Sequence, residues 1–324
     1  MKYRILGKTG IRVSEIGFGS WAIGSNWGTQ HVSDSIEALE KSIDLGLNFI
    51  DTALGYGNGK SEQIIAEVLK ERREEVTVAT KIPPADGVWP PSPYCDAEER
   101  YSENYIRKMV DTCRRNLDTD CIDILQLHTW TRAWNRNPKP IETLHKLKAE
   151  GIIKHIGISS PEHDQNSLIY LMKEGYLDTV QVIYNIFEQE PAAELLPVAL
   201  DSNVGVIVRV AFDEGILTGK YRSKNLFSKD DFRSKYFEGD RLPRAVKRVE
   251  KIKDTIIDSG LNMPQAALKF VLDHPAVSTV ITGIRNEDQA AQNIEVSDLP
   301  SMRPELVNKL QQHTWLRGFW YNGK

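Results

Sequence analysis

Ile16-Gly17-Phe18-Gly19-Ser20-Trp21-Ala22-Ile23-Gly24 separates two folds that the rest of the chain would allow. Alternating strands and helices build either an open doubly wound sheet or a closed barrel. An open sheet that binds a dinucleotide wants GxGxxG directly after its first strand, the glycines making room for the pyrophosphate. Here the third glycine falls on Ala22, and Gly24 comes two places late. The phosphate loop of the open fold is missing where it is needed, which favours the barrel.

The pattern outward from this stretch is regular. After a hairpin near 3–6 and 12–15, strands are expected at 16–19, 48–53, 76–82, 122–127, 153–158, 180–184, 205–210 and 277–282. Amphipathic stretches follow them at 33–45, 61–72, 103–117, 141–149, 165–174, 192–200, 245–258, 265–272 and 288–294, with Ser33 and Ser61 as expected N-caps. Runs such as Val206-Ile207-Val208 are apolar on both faces and suit a parallel sheet covered on both sides. Eight such units without a domain break give the expectation of an α/β fold, a (β/α)8 TIM barrel with an N-terminal β-hairpin, residues 1–324 forming one domain.

Composition narrows the function classes. Lys and Arg total 41 against 45 Asp and Glu, a net charge of -4, so nothing draws the whole chain to nucleic acid or an anionic membrane. No apolar run approaches a membrane span, and the start lacks the apolar core of a signal peptide. The three cysteines, Cys95, Cys113 and Cys121, form no CxxC. A cytoplasmic protein with neither disulfides nor a cysteine metal site is expected.

In a barrel of this kind the chemistry sits where strands end. Those ends carry Asp51, Tyr56 just beyond it, Lys81 and His128. Each has an ordinary structural reading taken alone. Together they do not, because a lysine at the mouth of a dry barrel needs a partner, and Asp51 is next door. A free phenol is a poor acid near neutrality, and a nearby ammonium lowers its pKa. With an imidazole to hold or relay, the set suits proton transfer to a carbonyl oxygen, the hydride coming from a cofactor.

At these residues the chain resembles the aldo-keto reductase superfamily. The resemblance is carried in order by Tyr3 to Gly10, Phe49-Ile50-Asp51-Thr52-Ala53, Tyr56-Gly57, Ser61-Glu62, Thr80-Lys81, Leu125-Gln126-Leu127-His128, Gly157-Ile158-Ser159, Gln181 to Asn185, Leu217-Thr218-Gly219-Lys220 and Gly283 to Asn293. It implies a barrel binding NADP(H) and reducing a small-molecule carbonyl compound. Tyr56 would be the general acid, assisted by Lys81, Asp51 and His128. Ser159 and Gln181 would bind the nicotinamide carboxamide, with Ser160 where the family usually has asparagine. Leu217, Gly219 and Lys220 would lie over the pyrophosphate. Arg285, Gln289 and Asn293 would hold the adenosine 2′-phosphate and adenine, with Gly283 also among the cofactor-binding residues. Arg209 stands where many members carry an aromatic that stacks on the nicotinamide; as a cofactor-binding residue its planar guanidinium would stack there instead, the alternative being a contact to the substrate, and Thr282 stands where proline is common. The family also includes potassium-channel β subunits, so a cofactor-binding regulatory subunit with little turnover is the alternative. A Schiff-base barrel using Lys81 is a third reading, which Asp51 argues against.

The segments 21–32, 83–102, 129–140 and 211–244 are long for loops of this fold. Trp21, Trp89 and Trp130 within them are the expected walls of the substrate pocket. Trp27 and Trp134 fall in the same loops, and Trp315 and Trp320 in an aromatic tail. Arg132 and Arg136 interleave with Trp130 and Trp134, but the acidic balance opposes a nucleic-acid surface.

Overall fold

The computed structural model describes residues 1–24 and 30–315. Trp27, Trp320 and the rest of the tail beyond Trp315 lie outside the described residues. Tyr3–Ile5 (β1) and Arg12–Ser14 (β2) pair antiparallel as the expected hairpin. Eight strands then close a parallel barrel: β3 Ile16–Gly19, β4 Phe49–Asp51, β5 Thr77–Ile82, β6 Ile122–Leu127, β7 Ile153–Ser159, β8 Thr179–Ile183, β9 Gly205–Arg209 and β10 Val277–Gly283. β10 pairs back onto β3, Val280 opposite Ile16, so no edge is left open.

The core has two parts. Inside the barrel Phe49, Ala79, Ile124 and Ile207 pack together, and Leu6 and Val13 from the hairpin join them. The hairpin closes the floor at the N-terminal ends of the strands: Lys8 N–H donates to Asn203 O just before β9. Gly7 is required there, because at its φ of +51° a Cβ would sit 2.2 Å from Gly205 N. The larger apolar cluster lies between the barrel and the helices, which include Val32–Asp44, Lys60–Leu69, Glu103–Asn116, Lys139–Ala149, Arg241–Ile256, Met263–Leu272 and Glu287–Ile294. Among the described residues no helix is long and apolar enough to cross a membrane.

Several expected boundaries shift for local reasons. β4 is shorter than 48–53, because Thr52 and Leu54 leave the ladder while still donating to Ala79 O and Lys81 O of β5. Ser33 is not an N-cap. The chain enters that helix extended at His31, which places Ser33 inside the first turn. Ser61 is not a cap either: the helix starts from left-handed Gly59, and the Ser61 hydroxyl instead joins Thr52 and Ser20. The stretch 165–174 divides into a 3-10 turn, Gln165–Leu168, and a short helix, Ile169–Lys173. Met263–Leu272 begins ahead of Gln265 because Gln265 is the third residue of a capping box with Asn262.

Candidate active site

The C-terminal ends of the strands surround a cavity of about 1330 Å³. Just beneath it lies a polar layer contributed by alternate strands: Asp51 from β4, Gln126 from β6 and Gln181 from β8. Asp51 Oδ1 accepts from Gln181 Nε2 at 2.6 Å and from Gln126 Nε2 at 3.2 Å. Asp51 Oδ2 faces Lys81 Nζ at 2.5 Å, and both side chains are buried. Lys81 also donates to Thr52 O at 2.9 Å and to the Tyr56 phenol oxygen at 3.5 Å. The expected quartet is therefore assembled, for His128 brings its ring edge-on to Tyr56, centroids 5.8 Å apart.

The loop that presents Tyr56 is fixed from outside. Gly57 has φ +63°, and a Cβ there would lie 2.0 Å from Gly24 O, so only glycine lets the two backbones touch. Behind the loop, fully buried Glu62 accepts from Thr80 Oγ1 at 2.6 Å and from Asn116 Nδ2 at 2.8 Å. This ties the helix that follows the Tyr56 loop to the strand that carries Lys81. Burial pushes the Glu62 carboxyl pKa up despite those bonds.

Electrostatics assign distinct states to Lys81, Tyr56 and His128. Burial acts to lower the Lys81 pKa, but the charges of Asp51 and Tyr56 and its bonds to them prevail, and the net shift is upward. Lys81 stays an ammonium. At Tyr56 the ammonium lowers the phenol pKa as expected, but a larger effect opposes it. Burial raises its pKa more than Lys81 lowers it, so the net direction is up. The phenol is held protonated, with the ammonium in place to stabilise a phenolate once the proton leaves. Burial, aided by Lys81 and Arg209, takes His128 down to about 3. Near neutrality it is an uncharged imidazole, which can donate one hydrogen bond but is not an imidazolium acid.

A second group of charges lines the same cavity away from the quartet. Lys220, Arg233 and Arg285 come from separate parts of the chain. The Lys220 pKa is lowered by burial and by Arg233 and Arg285, and that of Arg285 by burial and Arg233. Arg285 is steadied by Gln30, whose Oε1 accepts from Arg285 Nε at 2.8 Å, and Gln289 Oε1 accepts from its backbone N–H. Arg233 forks onto Asp231, with 2.9 and 2.5 Å contacts. Three crowded cations in one wall fit a multiply charged anion.

Residues 15–314 match the model of the Aldo/keto reductase family. The chain belongs to this family. It is 30% identical over 324 residues to the aldo-keto reductase YhdN of Bacillus subtilis (strain 168), covering 97% of this chain and 95% of the relative. It is 29% identical over 336 residues to the NADH-specific methylglyoxal reductase of Escherichia coli (strain K12), covering 96% of this chain and all 100% of that one. The holo form of an aldo-keto reductase from Bacillus halodurans superimposes with a TM-score of 0.78 at 25% identity, over 100% of both chains. This aldo-keto reductase is thus an NAD(P)H-dependent oxidoreductase, and the residues around its cavity fit a nicotinamide dinucleotide. The volume exceeds the ~300–1,000 Å³ of ordinary small-ligand pockets. The cation group suits the phosphates, and buried Arg209 Nε lacks a hydrogen-bond partner.

Ser159, Ser160, Gln181, Arg209, Lys220, Gly283, Arg285, Gln289 and Asn293 all line the cavity of the aldo-keto reductase. The Ser160 hydroxyl, however, is turned to Gln165 Oε1 at 3.0 Å. Leu217 and Gly219 do not line it: Leu217 is packed in the core, Gly219 sits against Lys253 and Met263, and Thr218 forms the wall beside Lys220. Trp21 and Trp89 are walls. Trp130 is not. It is 0% exposed, its Nε1–H donates to Asn135 Oδ1 at 2.7 Å, and its ring meets Trp134 edge-on. Arg132 joins Asp164 by a two-pronged ion pair that ties neighbouring loops. Sequence reasoning missed Gln126, Glu62 and Arg233 as supporting residues. Gln126 and Glu62 stood inside quoted motifs, and a polar side chain among apolar neighbours was their signal.

Proposed function

We propose that this chain reversibly reduces an aldehyde or ketone to the alcohol with NADPH, Tyr56 acting as the general acid. The observation that carries the reading is the Tyr56 hydroxyl 3.5 Å from a Lys81 ammonium already neutralised by Asp51, at the edge of the cavity. When bound, the nicotinamide cofactor supplies the hydride that reaches the carbonyl carbon. Tyr56 and the neutral imidazole of His128 hold the carbonyl oxygen. The Tyr56 proton moves to that oxygen, and Lys81 stabilises the phenolate left behind. In the reverse direction the phenolate takes the alcohol proton. Trp21 and Trp89 exclude water from an apolar part of the substrate.

Preference for NADPH over NADH is supported by Lys220, Arg233 and Arg285, which would hold the adenosine 2′-phosphate and pyrophosphate with Gln289 and Asn293 nearby. Ser159 and Gln181 would meet the carboxamide. The test is loss of NADPH absorbance on mixing with a panel of aldehydes and ketones. Turnover that disappears in Tyr56→Phe supports the proposal. Tight NADPH binding with no turnover across the panel overturns it in favour of a regulatory subunit.

A further inference from the structure

Arg209 ends β9 and enters the cavity from a strained turn. The next residue, Val210, has φ +59°, a conformation a β-branched side chain rarely adopts. It is held there because its carbonyl accepts from Asn185 Nδ2 and from Asp213 N–H, both at 2.9 Å. The Arg209 side chain leaves the strand directly before this turn. Its Nη2 donates to Ser160 O at 3.1 Å, and its Nη1 stands 3.5 Å from Glu162 Oε1. The Glu162 side chain is 43% exposed against 19% for Arg209, so water screens that pair and Glu162 compensates the guanidinium only in part. Lys81, by contrast, has its countercharge beside it in a dry site. Arg209, Tyr56 and His128 line the same cavity, so the guanidinium and the proton-transfer pair face one space.

We propose that Arg209 selects the redox state of the bound cofactor, favouring the neutral reduced nicotinamide over the cationic oxidised one. The inference rests on the NADPH reading above. A ring that passes hydride to a carbonyl held by Tyr56 and His128 must lie against that carbonyl, and so within the field of Arg209. The oxidised ring carries a positive charge and the reduced ring none, while the ribose and phosphate contacts are common to both. An arginine stays charged at every working pH, so the bias does not titrate away.

The experiment measures dissociation constants for NADPH and NADP+ by quenching of tryptophan fluorescence, without substrate, in the wild type, Arg209→Met and Arg209→Lys. The wild type is expected to bind NADPH more tightly. Arg209→Met should narrow the NADP+ to NADPH ratio by about tenfold, and Arg209→Lys should keep most of it. An unchanged ratio in Arg209→Met, or equal weakening of both forms, overturns the proposal and reduces Arg209 to packing against Ser160. A wild type that binds neither form overturns the cofactor reading itself, and this inference with it.

Discussion

Lys81 Nζ lies 2.5 Å from Asp51 Oδ2 with neither side chain open to water. A buried pair is costly to break because the surviving charge has no solvent to turn to. Asp51→Asn is therefore expected to destabilise the fold by about 3–5 kcal/mol, read as a lower urea midpoint at unchanged m. The double variant Asp51→Leu with Lys81→Met should regain much of that loss and remain inactive. An Asp51→Asn protein as stable as the wild type would mean that Thr52 O and Tyr56 suffice for the ammonium.

Tyr56→Phe removes one oxygen and keeps the ring against Trp21 and His128. If the phenol gives the proton, kcat should fall by about 10²–10⁴-fold, with cofactor affinity and thermal midpoint nearly unchanged. Retained kcat would assign the proton to another group.

The depressed His128 has a consequence for stability against pH. The folded imidazole titrates at about 3, and an unfolded one near ~6.5. Between these values the unfolded chain binds a proton that the folded chain does not. Unfolding free energy therefore rises with pH across this window. The contribution is complete above it and is lost as the pH falls toward the folded value. One such group supplies at most about 1.4 kcal/mol per pH unit. His274 and His313 are shifted in the same direction, by burial in each case. The difference between wild type and His128→Asn isolates the one residue. Urea midpoints at about pH 5 and about pH 7.5 should diverge less in the variant, and parallel behaviour would refute the assignment.

The cation group gives a cofactor-specific outcome. Arg285 is crowded by Arg233, and Lys220 by both, and the 2′-phosphate distinguishes NADPH from NADH. Charge-assisted bonds of this kind contribute about 1.5–3 kcal/mol, so Arg285→Gln should weaken NADPH about 10- to 100-fold and leave NADH almost unmoved. Binding titrations of both cofactors check it. Equal losses for the two would place Arg285 on a part they share.

The eight-fold alternation could be read from the chain because barrel strands are buried on both faces, and Val206, Ile207 and Val208 are each 0% exposed. Asp51 and Lys81 could be read for the opposite reason, as charges ending apolar runs. Arg233 could not. Its meeting with Lys220 and Arg285 depends on how a long segment folds over the barrel, and nothing in its own neighbourhood signals that. The net direction of the Tyr56 pKa is not legible in the sequence, because the ammonium that lowers it is visible there and the depth of burial that raises it is not.

The two loop tryptophans Trp130 and Trp89 look alike in the sequence and have opposite environments. Trp130 is fully buried with its N–H satisfied by Asn135, whereas Trp89 is 59% exposed and faces His128 with centroids 6.1 Å apart. Removing a large buried aromatic costs its transfer energy and leaves a cavity, so Trp130→Ala is expected to lose about 3–5 kcal/mol. The loss would appear in the urea midpoint, with KM for the carbonyl substrate little altered in the fraction that folds. Trp89→Ala should do the reverse, leaving the midpoint in place and raising KM, because its exposed ring contributes to the cavity wall rather than to the core. A large stability loss in Trp89→Ala, or a KM effect without a stability effect in Trp130→Ala, would reverse these two assignments.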